Sequence, residues 1–114
     1  MTYRELLAAA QADPAGADFH ALRMAYAHSD EYNPYHHDAE NVHALSEALH
    51  SGERQTALAP SNRLLDDDYL DIEAHMAADY VHTLLEHPTE SAYHRAFATG
   101  LIRAILSTGD GRDF

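Results

Sequence analysis

Residues 66–86 read DDDYLDIEAHMAADYVHTLLE and predict an amphipathic helix from about Tyr69 to Glu86. Apolar residues recur along it at the three- and four-residue intervals of a helix: Ile72, Met76, Ala77, Tyr80 and Leu84. The opposite side is acidic and rich in histidine: Asp71, His75, Asp79, His82 and Glu86. We therefore expect the apolar side to face the core and the acids and imidazoles to face solvent. The three aspartates 66–68 are expected to precede the helix, where its dipole favours negative charge.

The remainder of the chain also has a helical pattern. Alanine occurs 21 times, whereas valine and isoleucine together occur five times, which favours helix over strand. A capping box at Thr2-Tyr3-Arg4-Glu5 begins a first helix, and Asp18 is expected to cap a second. The predicted fold is all-α, with six helices packed as antiparallel helical hairpins in one domain over residues 1–114.

The ends of the later helices are set by glycine and proline. A third helix is expected from about Tyr35 or Asp38 to Ser51, with Gly52 as its stop. The prediction for the fourth is a short helix over 53–59, ended by Pro60. The sixth is expected over about 90–108, with Leu101, Ile102, Ile105 and Leu106 more apolar than one buried side requires. A homodimer through this last helix is therefore predicted.

Charge and composition exclude several classes of protein. Nineteen acids against seven bases give a net charge of −12, and every base is an arginine. A nucleic-acid or anionic-membrane surface is not expected, because such surfaces cluster positive charge. The absence of cysteine excludes disulfides and thiol chemistry. The start MTYRELLAAAQ has no signal-peptide pattern, so a cytoplasmic location is expected.

Three stretches resemble a bacterial family of unknown function. Residues 19–26, FHALRMAY, followed by 32–35, YNPY, are similar to the opening signature of the DUF4919 family. Glu73-Ala74-His75 with Tyr80 resembles its middle helix, and residues 100–105 with Gly109-Asp110-Gly111 resemble its last segment. The resemblance implies no assigned chemistry. Family members continue beyond this segment, so one alternative is that the chain is a structural fragment of a longer protein. Residues 69–108 also faintly resemble a tetratricopeptide unit.

The ten histidines leave a metal-binding protein or metalloenzyme as an alternative. Glu-x-x-His occurs twice in the third helix, and carboxylate and imidazole groups are common metal ligands. The candidate ligands are Glu40, His43, Glu47, His50, His75 and His82. On a helical wheel the first four lie opposite Val42, Leu45 and Leu49, so we expect this stripe to face solvent. His36-His37-Asp38 is a further candidate, but no cofactor is expected overall.

The preferred interpretation is a non-catalytic, acidic protein-binding module, because no catalytic motif occurs. Its negative field suits capture of a basic protein, as in immunity or antitoxin proteins. The candidate contact residues are two loop tyrosines and the acid/histidine segment: Tyr32, Tyr35, Asp66, Asp67, Asp68, Asp71, His75 and Asp79. Protonation of all ten histidines would change the net charge from −12 to −2, since −12 + 10 = −2.

Overall fold

The computed structural model describes residues 2–30 and 39–107 and is all-α over that part of the chain. Its six α-helices are, in chain order, α1 Tyr3–Ala12, α2 Phe19–Ala27, α3 Ala39–His50, α4 Arg54–Asp67, α5 Ile72–Leu84 and α6 Pro88–Ser107. A short 3-10 helix, Pro14–Gly16, lies between α1 and α2. Helices adjacent in sequence pack together, α1 with α2 and α4 with both α3 and α5. The predicted class and hairpin packing are confirmed.

Local capping signals begin α1 and α2 and end α3 where the sequence predicts. The Thr2 hydroxyl accepts from the Glu5 N–H at 3.1 Å, and the Glu5 carboxylate accepts from the Thr2 N–H at 2.8 Å. Asp18 caps α2 by accepting from the Ala21 N–H at 3.0 Å. Gly52 follows α3 with a φ of 75°, in the left-handed region that glycine adopts without strain.

The prediction that Pro60 ends the fourth helix is wrong. Pro60 lies inside α4, which continues to Asp67. An interior proline removes a backbone hydrogen bond and costs about 3 kcal/mol. The helix continues because α3 and α5 cover residues on both sides of it; the buried residues of α4 are Ala57, Pro60, Ser61, Leu64 and Leu65.

The longer α4 also corrects the role predicted for the aspartates. Asp66 and Asp67 form the exposed last turn of α4, where the helix dipole disfavours acids, instead of preceding α5. Asp68 is the C-cap of α4, and its carboxylate accepts from the Leu70 N–H at 3.0 Å. Asp71 is the N-cap of α5, accepting from the Glu73 N–H at 3.0 Å.

The chain divides into two compact units, and the single domain predicted over residues 1–114 stays a prediction. The first contains the described residues 2–30 and 96–107. Its buried side chains include Phe19, Leu22, Phe97 and Leu101, and the rings of Phe19 and Phe97 meet edge to face at 5.0 Å. A Cβ on Gly100 would lie 2.2 Å from the Phe19 ring, so glycine permits this approach.

The second unit contains the described residues 39–95. Its apolar core lies among α3, α4 and α5 and consists of Leu45, Ala48, Ala57, Leu64, Leu65, Ala74, Ala78 and Val81. The first turns of α6, residues 88–95, belong to this unit and contact α5 through polar side chains. Val42, which was expected in the buried seam of α3, is 54% exposed because the seam centres on Leu45 and Ala48 instead.

Candidate functional site

The two faces of α5 are oriented differently from the prediction. His75 is 0% exposed and His82 is 9% exposed, although both were expected in solvent. Met76 and Tyr80, expected in the core, are each 55% exposed. The prediction of a solvated acid/histidine face is therefore wrong. The histidines are buried because the first turns of α6 place polar partners against their imidazole rings.

Four histidines form one connected group, here called the imidazole quartet: His75, His82, His87 and His94. The Nδ1 atoms of His75 and His94 are 3.0 Å apart, and those of His82 and His87 are 3.1 Å apart. The rings of His82 and His94 stack with an interplanar angle of 9° and centroids 5.6 Å apart, which joins the two pairs. His94 is also buried, at 8% exposure, and His87 is half-buried.

The hydrogen bonds define the tautomers of His75 and His94, here called the inner pair. His75 Nε2 lies 2.6 Å from the carbonyl oxygen of Tyr69, which can only accept, so His75 Nε2–H donates. In a neutral ring the other nitrogen then lacks a proton, and His75 Nδ1 is an acceptor. His94 Nδ1–H must therefore donate to His75 Nδ1. The inner pair is complete only when His75 is neutral.

Burial favours the neutral form of His75, His82 and His94. Burial lowers the pKa of His75 to about 4, and the neighbouring His94 adds to this effect against the hydrogen bond to Tyr69. Burial and the nearby His82 lower the pKa of His94 to about 4, although Asp79 and Glu90 act in the opposite direction. Burial and His87 also lower the pKa of His82. These shifts share one cause, the loss of water around the charged ring.

The turn between α5 and α6 holds His87 beside His82. The His87 N–H donates to the His82 carbonyl at 2.8 Å, and the Glu86 N–H donates to the Thr83 carbonyl at 3.1 Å. This pair of bonds is a Schellman motif, which needs a left-handed residue at its centre. Glu86 supplies it with a φ of 60°, a conformation that is strained for a residue with a side chain.

Asp79 lies at the centre of a second polar group beside the quartet. Its carboxylate accepts from Arg95 Nε at 3.1 Å and from Nη2 at 3.2 Å, and it also accepts from the hydroxyl of buried Ser91. Burial raises the pKa of Asp79, but the hydrogen bonds from Arg95, Ser91 and Thr83 outweigh this, so the pKa is lowered. The Ser91 hydroxyl donates to a carboxylate and not to an imidazole, which differs from a catalytic serine triad.

Two tyrosines lie at the other end of the quartet. The hydroxyl oxygens of Tyr69 and Tyr93 are 2.5 Å apart, and burial with this hydrogen bond raises the pKa of Tyr93. The Tyr69 ring meets His75 edge to face at 4.8 Å, and the Tyr93 ring meets His94 likewise at 4.9 Å. Together these contacts hold α5 against the first turns of α6 through polar aromatic groups.

The outward side of α5 lines a surface depression with α3. This depression, here called the apolar groove, is lined by Val42, Leu45, Ser46, Leu49, His50 and Tyr80. A second depression on α3 shares Ser46 and His50 with it and also includes Glu47. On α5, exposed Glu73, Met76 and Tyr80 follow at intervals of three and four and therefore share one face. The groove is lined mainly by apolar side chains, with Glu47 in the adjoining depression and Glu73 on the same face of α5 as Tyr80.

The Glu-x-x-His stripe of α3 is exposed, as predicted. His43 Nε2 and Glu47 Oε2 are 3.8 Å apart, with side chains 77% and 73% exposed. Across residues 2–30 and 39–107, no group of three or more His, Cys, Asp or Glu side chains is placed to hold a metal ion. The six candidate ligands are not gathered, because His75 and His82 are buried against α6 while Glu40, His43, Glu47 and His50 lie on the surface of α3.

The structure separates the predicted contact residues. Asp66 and Asp67 are exposed at the end of α4, and Asp68 and Asp71 cap helices. Asp79 is held by Arg95, and His75 is buried, so neither is presented at the surface as expected. Tyr32 and Tyr35 lie outside the described residues, as do His36, His37, Asp38 and residues 109–111.

Sequence reasoning missed four residues that contact the acid/histidine side of α5: His87, Ser91, His94 and Arg95. The position of His94 was an available signal, because it precedes Phe97 and Leu101 at helical intervals and so lies beside the apolar seam of α6.

Ile102, Ile105 and Leu106 are 40%, 42% and 68% exposed. The homodimer predicted through this helix stays a prediction.

No family model, curated protein or solved structure matches the chain. The resemblance to the DUF4919 family and the tetratricopeptide-like character therefore stay predictions. In the part of the chain that the structure describes, no helix combines the length and the apolar character needed to cross a membrane.

Proposed function

We propose that this chain is a protein-binding module whose apolar groove receives a basic amphipathic helix. The observation that carries the proposal is the exposure of Val42 at 54% and Tyr80 at 55% in one groove between α3 and α5. Large apolar side chains that line a concave surface are typical of helix-in-groove recognition. An exposed aromatic ring in such a groove is a suitable anchor for a partner.

The charge of the chain supports a basic partner. The net charge is −12, and Glu47 and Glu73 lie on the two helices that border the groove. A helix with apolar residues on one side and Arg or Lys at its edges would place its positive charges near these carboxylates. Such complementarity mainly accelerates association and selects the partner. An immunity or antitoxin protein that covers a basic toxin would be one member of this class.

The test begins with a photo-crosslinking amino acid at position 80 in the native host, with position 24 as the control. Met24 is a similarly exposed apolar residue, at 50%, but it lies on α2 outside the groove. We expect a partner crosslinked at position 80 and not at position 24. Equal products at both positions, or none at position 80, would contradict the proposal.

The purified partner then allows a quantitative comparison. Tyr80→Ser is expected to weaken binding at least about tenfold, as loss of an aromatic anchor does, whereas Met24→Ser leaves the Kd unchanged. Glu47→Gln with Glu73→Gln is expected to slow association and reduce its dependence on salt. A Tyr80→Ser variant that binds as tightly as the Met24→Ser control would exclude the groove as the binding site.

A further inference from the structure

Helix α5 connects the apolar groove to the imidazole quartet. Met76 and Tyr80 lie on its outward side, and His75 and His82 lie on its inward side against α6. A movement of α5 away from α6 would displace Tyr80, which lines the groove. The polar contacts between α5 and α6 therefore influence the shape of the apolar groove on the other side of α5.

The quartet has a limited capacity for protons. His94 Nδ1–H donates to His75 Nδ1 over 3.0 Å, so a proton added at His75 Nδ1 would place two donors against each other. The hydrogen bond would then be replaced by repulsion between two N–H groups. Likewise only one Nδ1 of His82 and His87 can carry the proton of their 3.1 Å bond. Full protonation of either pair is incompatible with its geometry.

The charged and polar groups around the quartet only partly favour its protonation. Asp79 and Glu90 favour a positive charge at His94, and Glu90 does so at His82. Asp79 is already paired with Arg95, and the Tyr69 carbonyl accepts from His75. The hydroxyls of Tyr69 and Tyr93 bond to each other. Burial outweighs the effect of these groups, and the pKa of His75 and of His94 is therefore lowered to about 4.

We propose that the imidazole quartet is an acid-sensitive switch whose protonation separates α5 from the first turns of α6 and disrupts the apolar groove. The effect on binding rests on the proposed function of that groove, whereas the separation itself does not. The switch would release a basic helix when the pH falls from neutral toward 5.

The direction and steepness follow from proton linkage. Both inner imidazoles bind protons more weakly in the closed form than when exposed, where the ordinary value is 6.5. Between about pH 6.5 and 4 the open form therefore binds more protons, and opening becomes more favourable as the pH falls. Each proton changes the opening equilibrium by up to tenfold per pH unit, so two give up to about 100-fold.

Amide hydrogen exchange of the full chain between pH 7.5 and 5 measures this opening without a partner. After correction for the intrinsic exchange rate, we expect protection of residues 72–84 and 88–95 to change little above about pH 6.5 and to fall by up to about two orders of magnitude per pH unit below it. Protection of α1 and α2 is expected to persist. Unchanged protection in α5, or an equal loss in every helix, would overturn the proposal.

A matched pair of variants assigns the effect to the quartet. His75→Gln with His94→Asn keeps groups that can donate and accept hydrogen bonds but cannot titrate, so most of the pH dependence of protection in α5 should disappear. His43→Asn removes an exposed imidazole of the same unit and should retain the full pH dependence. An equal pH dependence in both variants would overturn the proposal.

Nitrogen-15 NMR of the unmodified chain provides a measurement that does not depend on how a variant folds. We expect His75 to carry its proton on Nε2 and His94 on Nδ1 at pH 7.5. We also expect both rings to stay neutral at pH 6. Titration of both near the ordinary value of 6.5 would overturn the proposal.

A synthetic amphipathic helix of leucine and arginine serves as the groove probe, and its leucine–glutamate counterpart serves as the control. We expect the arginine peptide to bind selectively at pH 7.5. At pH 5 this binding should be lost in the natural chain but retained in the His75→Gln/His94→Asn variant. No binding at pH 7.5 would count against the proposed function alone, because exchange reports the opening independently. Equal binding of the arginine peptide at both pH values, while exchange shows that α5 opens, would overturn the link between protonation of the quartet and the apolar groove.

Discussion

Helices α3 and α5 carry nearly the same polar pattern but place it in opposite environments. Acids and histidines recur at intervals of three and four in both, as Glu40, His43, Glu47 and His50 in α3 and as Asp71, His75, Asp79 and His82 in α5. The α3 stripe is exposed, with His43 at 77%, whereas His75 in α5 is 0% exposed. The difference lies in what each helix faces, since α6 presents His94, Ser91 and Arg95 to the α5 stripe.

This comparison shows that an acid/histidine stripe does not by itself define a solvent-facing surface. A buried polar group is tolerated when each of its hydrogen-bonding atoms finds a partner. The α5 stripe meets this condition through the Tyr69 carbonyl, the second imidazole and the Arg95 guanidinium. Its environment therefore depends on residues of another helix, 16 to 19 positions away in sequence.

The largest expected difference between the two stripes is in their response to pH. Because the pKa of His75 and of His94 is lowered to about 4, their contribution to stability is present at neutral pH and lost as the pH falls through 6.5 toward 4. From pH 7 to 5 the free energy of unfolding in urea should fall by about 4 kcal/mol.

Two variants separate this effect from other titrations. His75→Gln with His94→Asn should remove most of the decrease, whereas His43→Asn on the exposed stripe should retain it. The lowered pKa of Asp79 places its own contribution at more acidic pH, outside this window. A decrease of the same size in both variants would contradict the assignment to the buried imidazoles.

Truncation of one histidine in each stripe should give the next largest difference. His75→Ala removes a buried ring together with its hydrogen bonds to His94 Nδ1–H and to the Tyr69 carbonyl, at a cost of about 3 kcal/mol at pH 7.5. His43→Ala should change stability by less than about 0.5 kcal/mol. Urea unfolding followed by circular dichroism measures both, and equal costs would show that His75 is not buried as described.

The turns that end the two helices provide the smallest contrast. Both are Schellman motifs, but α3 uses Gly52 with a φ of 75° and α5 uses Glu86 with a φ of 60°. Glu86→Gly should therefore stabilise the protein by up to about 1 kcal/mol, and Gly52→Ala should destabilise it by about 1 kcal/mol. Thermal unfolding of both variants checks the signs. A loss of stability in Glu86→Gly would mean that the turn is not strained.

The sequence predicted those features whose causes are local. The Thr2–Glu5 capping box, the Asp18 cap, the Gly52 stop and the exposed stripe of α3 each depend on residues within about one turn of a helix. It failed at Pro60, where packing of α4 on both sides outweighs the local preference to end a helix. It failed again for Asp66 and Asp67, because burial of Leu64 and Leu65 extends α4 through them.

By itself, then, the chain of amino acids determined an all-helical acidic protein, because alanine-rich periodic segments, caps and charge act over short distances. Which side of α5 is buried was decided only by tertiary structure. The helical wheel ranks side chains by their polarity alone, whereas burial of His75 depends on whether α6 brings a matching donor within 3.0 Å. That match brings the imidazole quartet into the interior and leaves Tyr80 at the surface, in the apolar groove.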